Sequence, residues 1–294
     1  MRINELEFKT ARNLAHALDL LGRAGQGAKI LAGGTDLVLN LKKKRVDTNT
    51  LISLHRLTGL DYVKEEAGVI RIGAMAKHED LAKDRRLREK TDILCQAVGL
   101  IGSWQIRNAG TIGGNICNAS PAGDSLPPLL VLDAELVIAG PDGDTLMPVN
   151  SFFKGPGQTG LRPDQILKEI RIPVPPENSA GCYMKLRRRK AVDISIAGVA
   201  FQAGTDASGQ VLESVGIALG GVAPTPVRVP AAEAMLTGLS IEDSLGKIED
   251  CADACADTAR PIDDIRASAG YKRTIVNVFA RRCARHVLTT LKEN

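Results

Sequence analysis

A chain of 294 residues with 44% hydrophobic and 24% charged residues has an ordinary globular composition and is long enough for two domains. A net charge of +4 calls for no polyanionic partner, and aromatics at 3% exclude a base-stacking nucleic-acid surface. No apolar run approaches the roughly 18 residues of a membrane span, and MRINELEFKTARN has no signal-peptide core, so the expected location is the cytoplasm.

In chain order, ELEFKT reads as a short strand. Thr10 is placed to cap a helix in which Leu14, Leu18 and Leu21 recur at helical spacing, ending near Gly22 or Gly25. KILAGG is a buried strand running into glycines. A helical DLVLNLKKKR follows, then the strand TLISL and the alternating VIRIGA. Helical patterns fill 76 to 100, and AELVIAG is a further strand. PVPPENSA gathers prolines and small polar residues and reads as a linker. Beyond it, GCYMKLRRR, SIAGVAFQAG and VLESVGIALGGVAP read as three antiparallel strands, with helices at 230–258 and 270–292. The boundary between halves therefore falls near residue 176.

The six cysteines, at 95, 117, 182, 251, 255 and 283, make no disulfide framework. With four scattered histidines they show no metal-ligand spacing, and Cys251 and Cys255 in CADAC read as thiols on a helix face.

Two segments stand out. LAGGTDL (31–37) and GTIGGN (110–115), the latter inside QIRNAGTIGGNICNASPAGD, each set adjacent glycines beside a threonine. Consecutive amides in such loops can converge on an anionic oxygen, and glycine lets a phosphate approach the main chain. Thr35 and Thr111 add hydroxyls and Asn115 an amide. Neither loop has the GxGxxG fingerprint or the P-loop spacing. Taken singly, each reads as an ordinary tight turn.

The order and setting of the two loops resemble the FAD-binding subunit of the xanthine dehydrogenase and molybdenum hydroxylase family. QILKEIRIP, YMKLRRRKAVDISIAGVAF and GIALGGVAPTPVR match the same pattern, so the resemblance covers nearly the whole chain. It implies an α+β fold. Residues 1–176 would be a flavin-binding domain of the vanillyl-alcohol-oxidase (PCMH) type, with subdomains at about 1–55 and 56–176. Residues 177–294 would carry a three-stranded antiparallel sheet and a helical bundle.

By this resemblance, Lys29, Ile30, Leu31, Ala32, Gly33, Gly34, Thr35 and Asp36 form a first FAD segment, and Thr111, Ile112, Gly113, Gly114 and Asn115 a second, with Asn118 beyond it. Ile101 sits where relatives can have a flavin-facing ring. Asp124, Leu167 and Lys185 match positions beside the cofactor. From the residues alone, Asp124 could instead cap a helix, Leu167 could be core, and the basic run 185–190 could be a solvated face. Trp104 replaces a proline common among relatives and reads as half-buried packing.

The resemblance also implies partners: a large subunit with a molybdenum-pterin cofactor and a small one with two iron–sulfur clusters of the 2Fe–2S type, in a dimer of heterotrimers. Electrons would pass from the clusters through FAD to NAD⁺ or another acceptor. No acid or base on this chain is required, so no catalytic residue is named. Thr35 and Asp36 lean toward purine or other N-heterocycle oxidation. The alternatives are a flavoprotein subunit of a carbon monoxide dehydrogenase or aromatic thioester reductase, a free-standing flavin reductase, and a scaffold subunit without FAD.

Overall fold

The computed structural model describes residues 6–293; the start of MRINELEFKTARN and Asn294 lie outside them. The chain opens with β1 (Glu7–Thr10), α1 (Leu14–Ala24), β2 (Ala28–Leu31), α2 (Leu37–Lys42) and β3 (Thr50–Ser53). These strands form a parallel sheet in the order β1-β3-β2, because each intervening segment carries the chain back to the same end of the sheet. Ala17 and Leu21 of α1 pack with Ile52 and Leu54 in one apolar cluster. The helix cap differs from expectation. Thr10 stays in the ladder opposite Ser53, and Asn13 caps α1, its side-chain oxygen accepting the His16 N–H at 2.8 Å.

The next stretch comprises β4 (Val63–Glu66), β5 (Val69–Gly73), α3 (His78–Lys83), α4 (Arg85–Gly99), α5 (Trp104–Ala109), α6 (Ile112–Asn118) and α7 (Leu126–Val131). It continues through β6 (Glu135–Gly140), β7 (Gly143–Pro148), α8 (Val149–Phe152), β8 (Phe153–Gly155), β9 (Gln158–Thr159) and β10 (Ile166–Pro173). Five of these strands make an antiparallel sheet, β4-β5-β10-β6-β7. Ile70, Ile72, Ile138 and Ile170 from the sheet meet Leu81, Leu94, Ile112 and Leu129 from the helices in the largest core. A bulge interrupts the β10–β6 register between Leu167 and Glu169. Just past it, Glu169 is 1% exposed and accepts hydrogen bonds from Arg71 (2.9 Å), Arg171 (2.7 Å) and the Tyr62 hydroxyl. These bonds tie β10 to its neighbours at the point where the ladder is irregular.

The last part holds β11 (Ser179–Leu186), β12 (Ala197–Thr205), β13 (Leu212–Gly220), β14 (Val227–Arg228), α9 (Pro230–Leu236), α10 (Ile241–Gly246), α11 (Ile248–Thr258) and α12 (Ala269–Glu293). The sheet has four strands, β11-β12-β13-β14, not the three expected. Two residues sufficed for the extra strand because Arg228 is held on several sides: by Glu233 (2.7 Å), Asp133 (2.7 Å) and the Leu130 carbonyl (2.7 Å). One face of the sheet packs Phe201 and Ile217 against Cys255, Val276, Ala284 and Leu288 of the helices. The other receives α7, whose prolines at its first turn suit a helix start. A Cβ on Gly220 would lie 2.8 Å from Pro127 Cγ, so the contact is backbone-close.

Burial raises the Glu169 carboxyl pKa, but hydrogen bonds from Arg71, Tyr62 and Arg171 outweigh it and hold the value below the usual glutamate range. Its stabilising effect is therefore complete above the unfolded glutamate pKa and lost as pH falls through the lower folded value. Glu169→Gln should cost about 1.5–3 kcal/mol at pH 7. Urea unfolding should show the gap between variant and parent shrinking below pH 4.5, and a gap unchanged down to pH 3 would contradict this role.

Candidate functional site

β2 leads straight into Ala32, Gly33, Gly34, Thr35 and Asp36, and α2 begins at the next residue. Gly34 has φ +73°, a left-handed conformation costly for any side chain. Gly33 has a different reason to be glycine. A Cβ there would lie 2.1 Å from the Ala109 carbonyl oxygen and 2.8 Å from the Gly110 Cα. The first loop therefore crosses the main chain of the second with no side chain between them.

In the second loop Thr111 caps α6, its hydroxyl oxygen accepting the Gly114 N–H at 3.0 Å. The Ile112 and Gly113 amides donate to the carbonyls of Ala76 (3.0 Å) and Ala74 (2.9 Å), and Asn115 donates to Thr111 O (3.0 Å). A Cβ on Gly113 would sit 2.6 Å from the Ala74 oxygen, so this glycine serves a main-chain crossing. The expectation of two equivalent nests of free amides is corrected here: the second loop's amides are used inside the protein. In the first loop, the N–H groups of Gly33, Gly34, Thr35 and Asp36 have no protein acceptor among the described residues. Donors for an anion remain on that side.

Between the loops lies a cavity of roughly 680 Å³, within the range of about 300–1,000 Å³ found for small-molecule and cofactor sites. Of the residues singled out in the sequence, Lys29, Ile30, Ala32, Gly33, Gly34, Thr35, Asp36, Ile101, Thr111, Gly113, Gly114, Asn115, Asn118 and Leu167 line it. Leu31 and Ile112 do not; Ile112 is fully buried in the core, and Leu31 comes within 3.1 Å of where a Cβ on Gly34 would be. Leu21, Leu54, Met75 and Ile106 add apolar surface. Sequence reading missed His78, Thr159, Arg162 and Gln165, which also line the cavity. Gln165 begins the quoted QILKEIRIP and was within reach. Thr159 and Arg162 carry no local signal; β10 inserts between β5 and β6, and the residues just before it arrive at the cavity with it.

Asp124 and Lys185 are brought together, and neither is among the residues lining the cavity. Asp124 Oδ2 lies 2.7 Å from Lys185 Nζ, and the Tyr183 hydroxyl donates to Oδ1 at 2.8 Å. Lys185 Nζ also donates to the carbonyls of Leu100 (3.1 Å) and Asp193 (3.4 Å). Burial raises the Asp124 pKa above the ordinary value, with Lys185 and Tyr183 opposing it. Asp124 does not cap α7: that helix follows Ser125, whose hydroxyl donates to Asn115 Oδ1 at 2.7 Å. Trp104 is 59% exposed at the start of α5, not half-buried. The basic run is exposed from Arg188 to Lys190, and the Asp193 carboxylate accepts the Arg188 and Arg189 amides.

Residues 4–175 match the FAD binding domain in molybdopterin dehydrogenase, and residues 181–287 match the CO dehydrogenase flavoprotein C-terminal domain. The chain is 32% identical to the carbon monoxide dehydrogenase medium chain of Hydrogenophaga pseudoflava, over 94% of each protein. It is 33% identical to a putative xanthine dehydrogenase FAD-binding subunit of Escherichia coli (strain K12), over 94% of this chain and 93% of that one. A solved structure of the Hydrogenophaga pseudoflava carbon monoxide dehydrogenase, lacking the Mo-pyranopterin moiety of its molybdenum cofactor, superposes with a TM-score of 0.93. It is 31% identical and covers 98% of this chain and 99% of its own.

The buried pair yields a test. Lys185→Met leaves the Asp124 carboxylate uncompensated and should cost about 3–5 kcal/mol at pH 7. Removing Lys185 removes a cause that lowers the Asp124 pKa, so this pKa rises further. Its neutral form then relieves the defect as pH falls. Thermal unfolding should show a smaller deficit at pH 5 than at pH 7; an equal or larger one contradicts the pairing.

Proposed function

This chain belongs to the FAD-binding subunits of the molybdopterin dehydrogenase family, and we propose that it is the flavin relay of a multi-subunit molybdenum hydroxylase. The observation that carries the proposal is the crossing of the two glycine loops over one cavity, with free amide donors on the first loop. In this reading the amides of residues 33–36 and the side chain of Thr35 take the diphosphate, and Asn115 and Asn118 meet polar parts of the cofactor. Leu167, Ile101 and the other aliphatic groups form the apolar wall and exclude water. Bound FAD supplies the redox chemistry. The protein's part is to place and bury it, and the Asp124–Lys185 pair, bonded to the Leu100 carbonyl next to Ile101, holds that part of the wall. The three-stranded parallel sheet and the five-stranded antiparallel sheet before residue 176 correspond to the PCMH-type halves, and residues 177–294 to the C-terminal domain.

Electrons are proposed to arrive from iron–sulfur clusters of a small subunit, after substrate oxidation on a molybdenum-bearing large one, and to leave to NAD⁺ or another acceptor in a dimer of heterotrimers. The expectation of a purine or N-heterocycle substrate gains no preference, since the carbon monoxide and xanthine relatives are similar to nearly the same degree. Among the described residues no helix is long and apolar enough to cross a membrane. Six free cysteines suit a reducing compartment, and the cytoplasm is the proposed location.

The test is isolation of the tagged chain from its native cells, with flavin read by absorption and iron and molybdenum by elemental analysis. The proposal expects all three together, and a Gly33→Val chain that loses most of its flavin. Flavin without metals would favour a free-standing flavoenzyme. A folded, colourless chain that refuses added FAD would leave the scaffold reading.

A further inference from the structure

His78 stands in the cavity wall and has no task in the reading above. It opens α3 and is 2% exposed. Its backbone N–H donates to the Gly110 carbonyl at 3.2 Å, which ties this residue to the second loop. A Cβ on Gly110 would lie 3.2 Å from the His78 ring at Cδ2 and 3.5 Å from Thr35 Oγ1. The ring, the second loop and the threonine of the first loop thus converge at one point. Nδ1 of the ring is fully enclosed and has no hydrogen-bond partner among the described residues. A buried imidazole nitrogen without a partner is unfavourable in a protein that has no use for it.

We propose that His78 is a cofactor-binding residue, an uncharged imidazole under the junction of the two glycine loops that gains a proton when the anionic diphosphate of the cofactor settles on the first loop. The proposal rests on the reading of FAD in this cavity. The charged groups around the ring are few. Arg107 of α5 is held by Glu79, next to His78 in α3, at 2.7 Å; Glu79 also takes Lys83 at 2.8 Å. Asp36 lies on the first loop beside Thr35, its carboxyl pKa raised by desolvation against a hydrogen bond from Thr35, and Arg107 is the charge that acts on the ring. Burial first and Arg107 second hold the His78 pKa down at about 4, so the ring is neutral at pH 7. An opposite charge within about 4–6 Å raises such a pKa by roughly 1–3 units. Binding then takes up a proton, and affinity for FAD rises as pH falls, by up to about tenfold per unit between the free and bound pKa values.

The experiment uses the full chain stripped of flavin. FAD is titrated from pH 8 to pH 5 by fluorescence, and binding heats at pH 5.5 are compared in two buffers of different ionisation enthalpy. The parent should bind FAD several-fold more tightly at pH 5 than at pH 8, with buffer-dependent heats that report proton uptake. His78→Gln should bind with a pH-independent Kd and buffer-independent heat, and His286→Gln, at an exposed position of α12 that does not line the cavity, should keep the parent's pattern. His78→Asn replaces the glutamine variant if circular dichroism shows that it does not fold. A flat parent, a His78 variant that retains the pH dependence, or a His286→Gln chain that loses it overturns the proposal. A folded parent that binds no FAD at any pH instead refutes the FAD reading beneath it.

Discussion

The structure around the cavity depends on one close approach. Gly33 meets the carbonyl of Ala109 at a distance that no Cβ could share, so a loop leaving β2 and the α5–α6 loop touch main chain to main chain. Everything at the cavity follows from that crossing. The first loop belongs to a parallel sheet and the second to helices packed on an antiparallel one, and neither unit alone encloses the space. A side chain at residue 33 would force the loops apart and separate the amides of residues 33–36 from Thr111, Asn115 and His78 on the facing side.

The two loops look alike in sequence and do different work. Gly113 and Gly33 are required by neighbouring backbone, Gly34 by its left-handed conformation, and Gly114 has only the Thr111 hydroxyl, at 2.9 Å, near the place of its missing Cβ. The amides of residues 112–115 are already bonded within the fold, which makes the second loop a stiff platform. The first loop retains donors. Binding an anion on such a pair asks little reorganisation of the platform and satisfies groups that would otherwise point into the cavity.

Much of this was legible in the amino-acid order, and the reasons for the rest are physical. Glycine pairs beside threonines marked both loops, and the hydrophobic periodicity located α1, the helices of 76–100, 230–258 and 270–292 and many of the strands, but not β7 or the central β10. The short β14 was invisible, because two residues carry no period and the strand owes its place to Arg228 and its three partners. Thr10 was a plausible cap until the ladder opposite Ser53 claimed it. Asp124 and Lys185 were picked out as residues at the cofactor, but their pairing across 61 positions of the chain has no sequence signal. His78 had no signal at all: it is a lone histidine in sequence, and only the convergence of α3 with both loops gives it neighbours.

Hydrogen exchange of backbone amides, followed with and without added FAD on the flavin-stripped chain, tests the central claim most directly. The account predicts that residues 33–36 exchange quickly without FAD and become protected when it binds. Residues 112–115 should be protected in both states, because their acceptors lie within the protein. Protection gained at 112–115 with no change at 33–36 would contradict it, and would place the anion on the other loop.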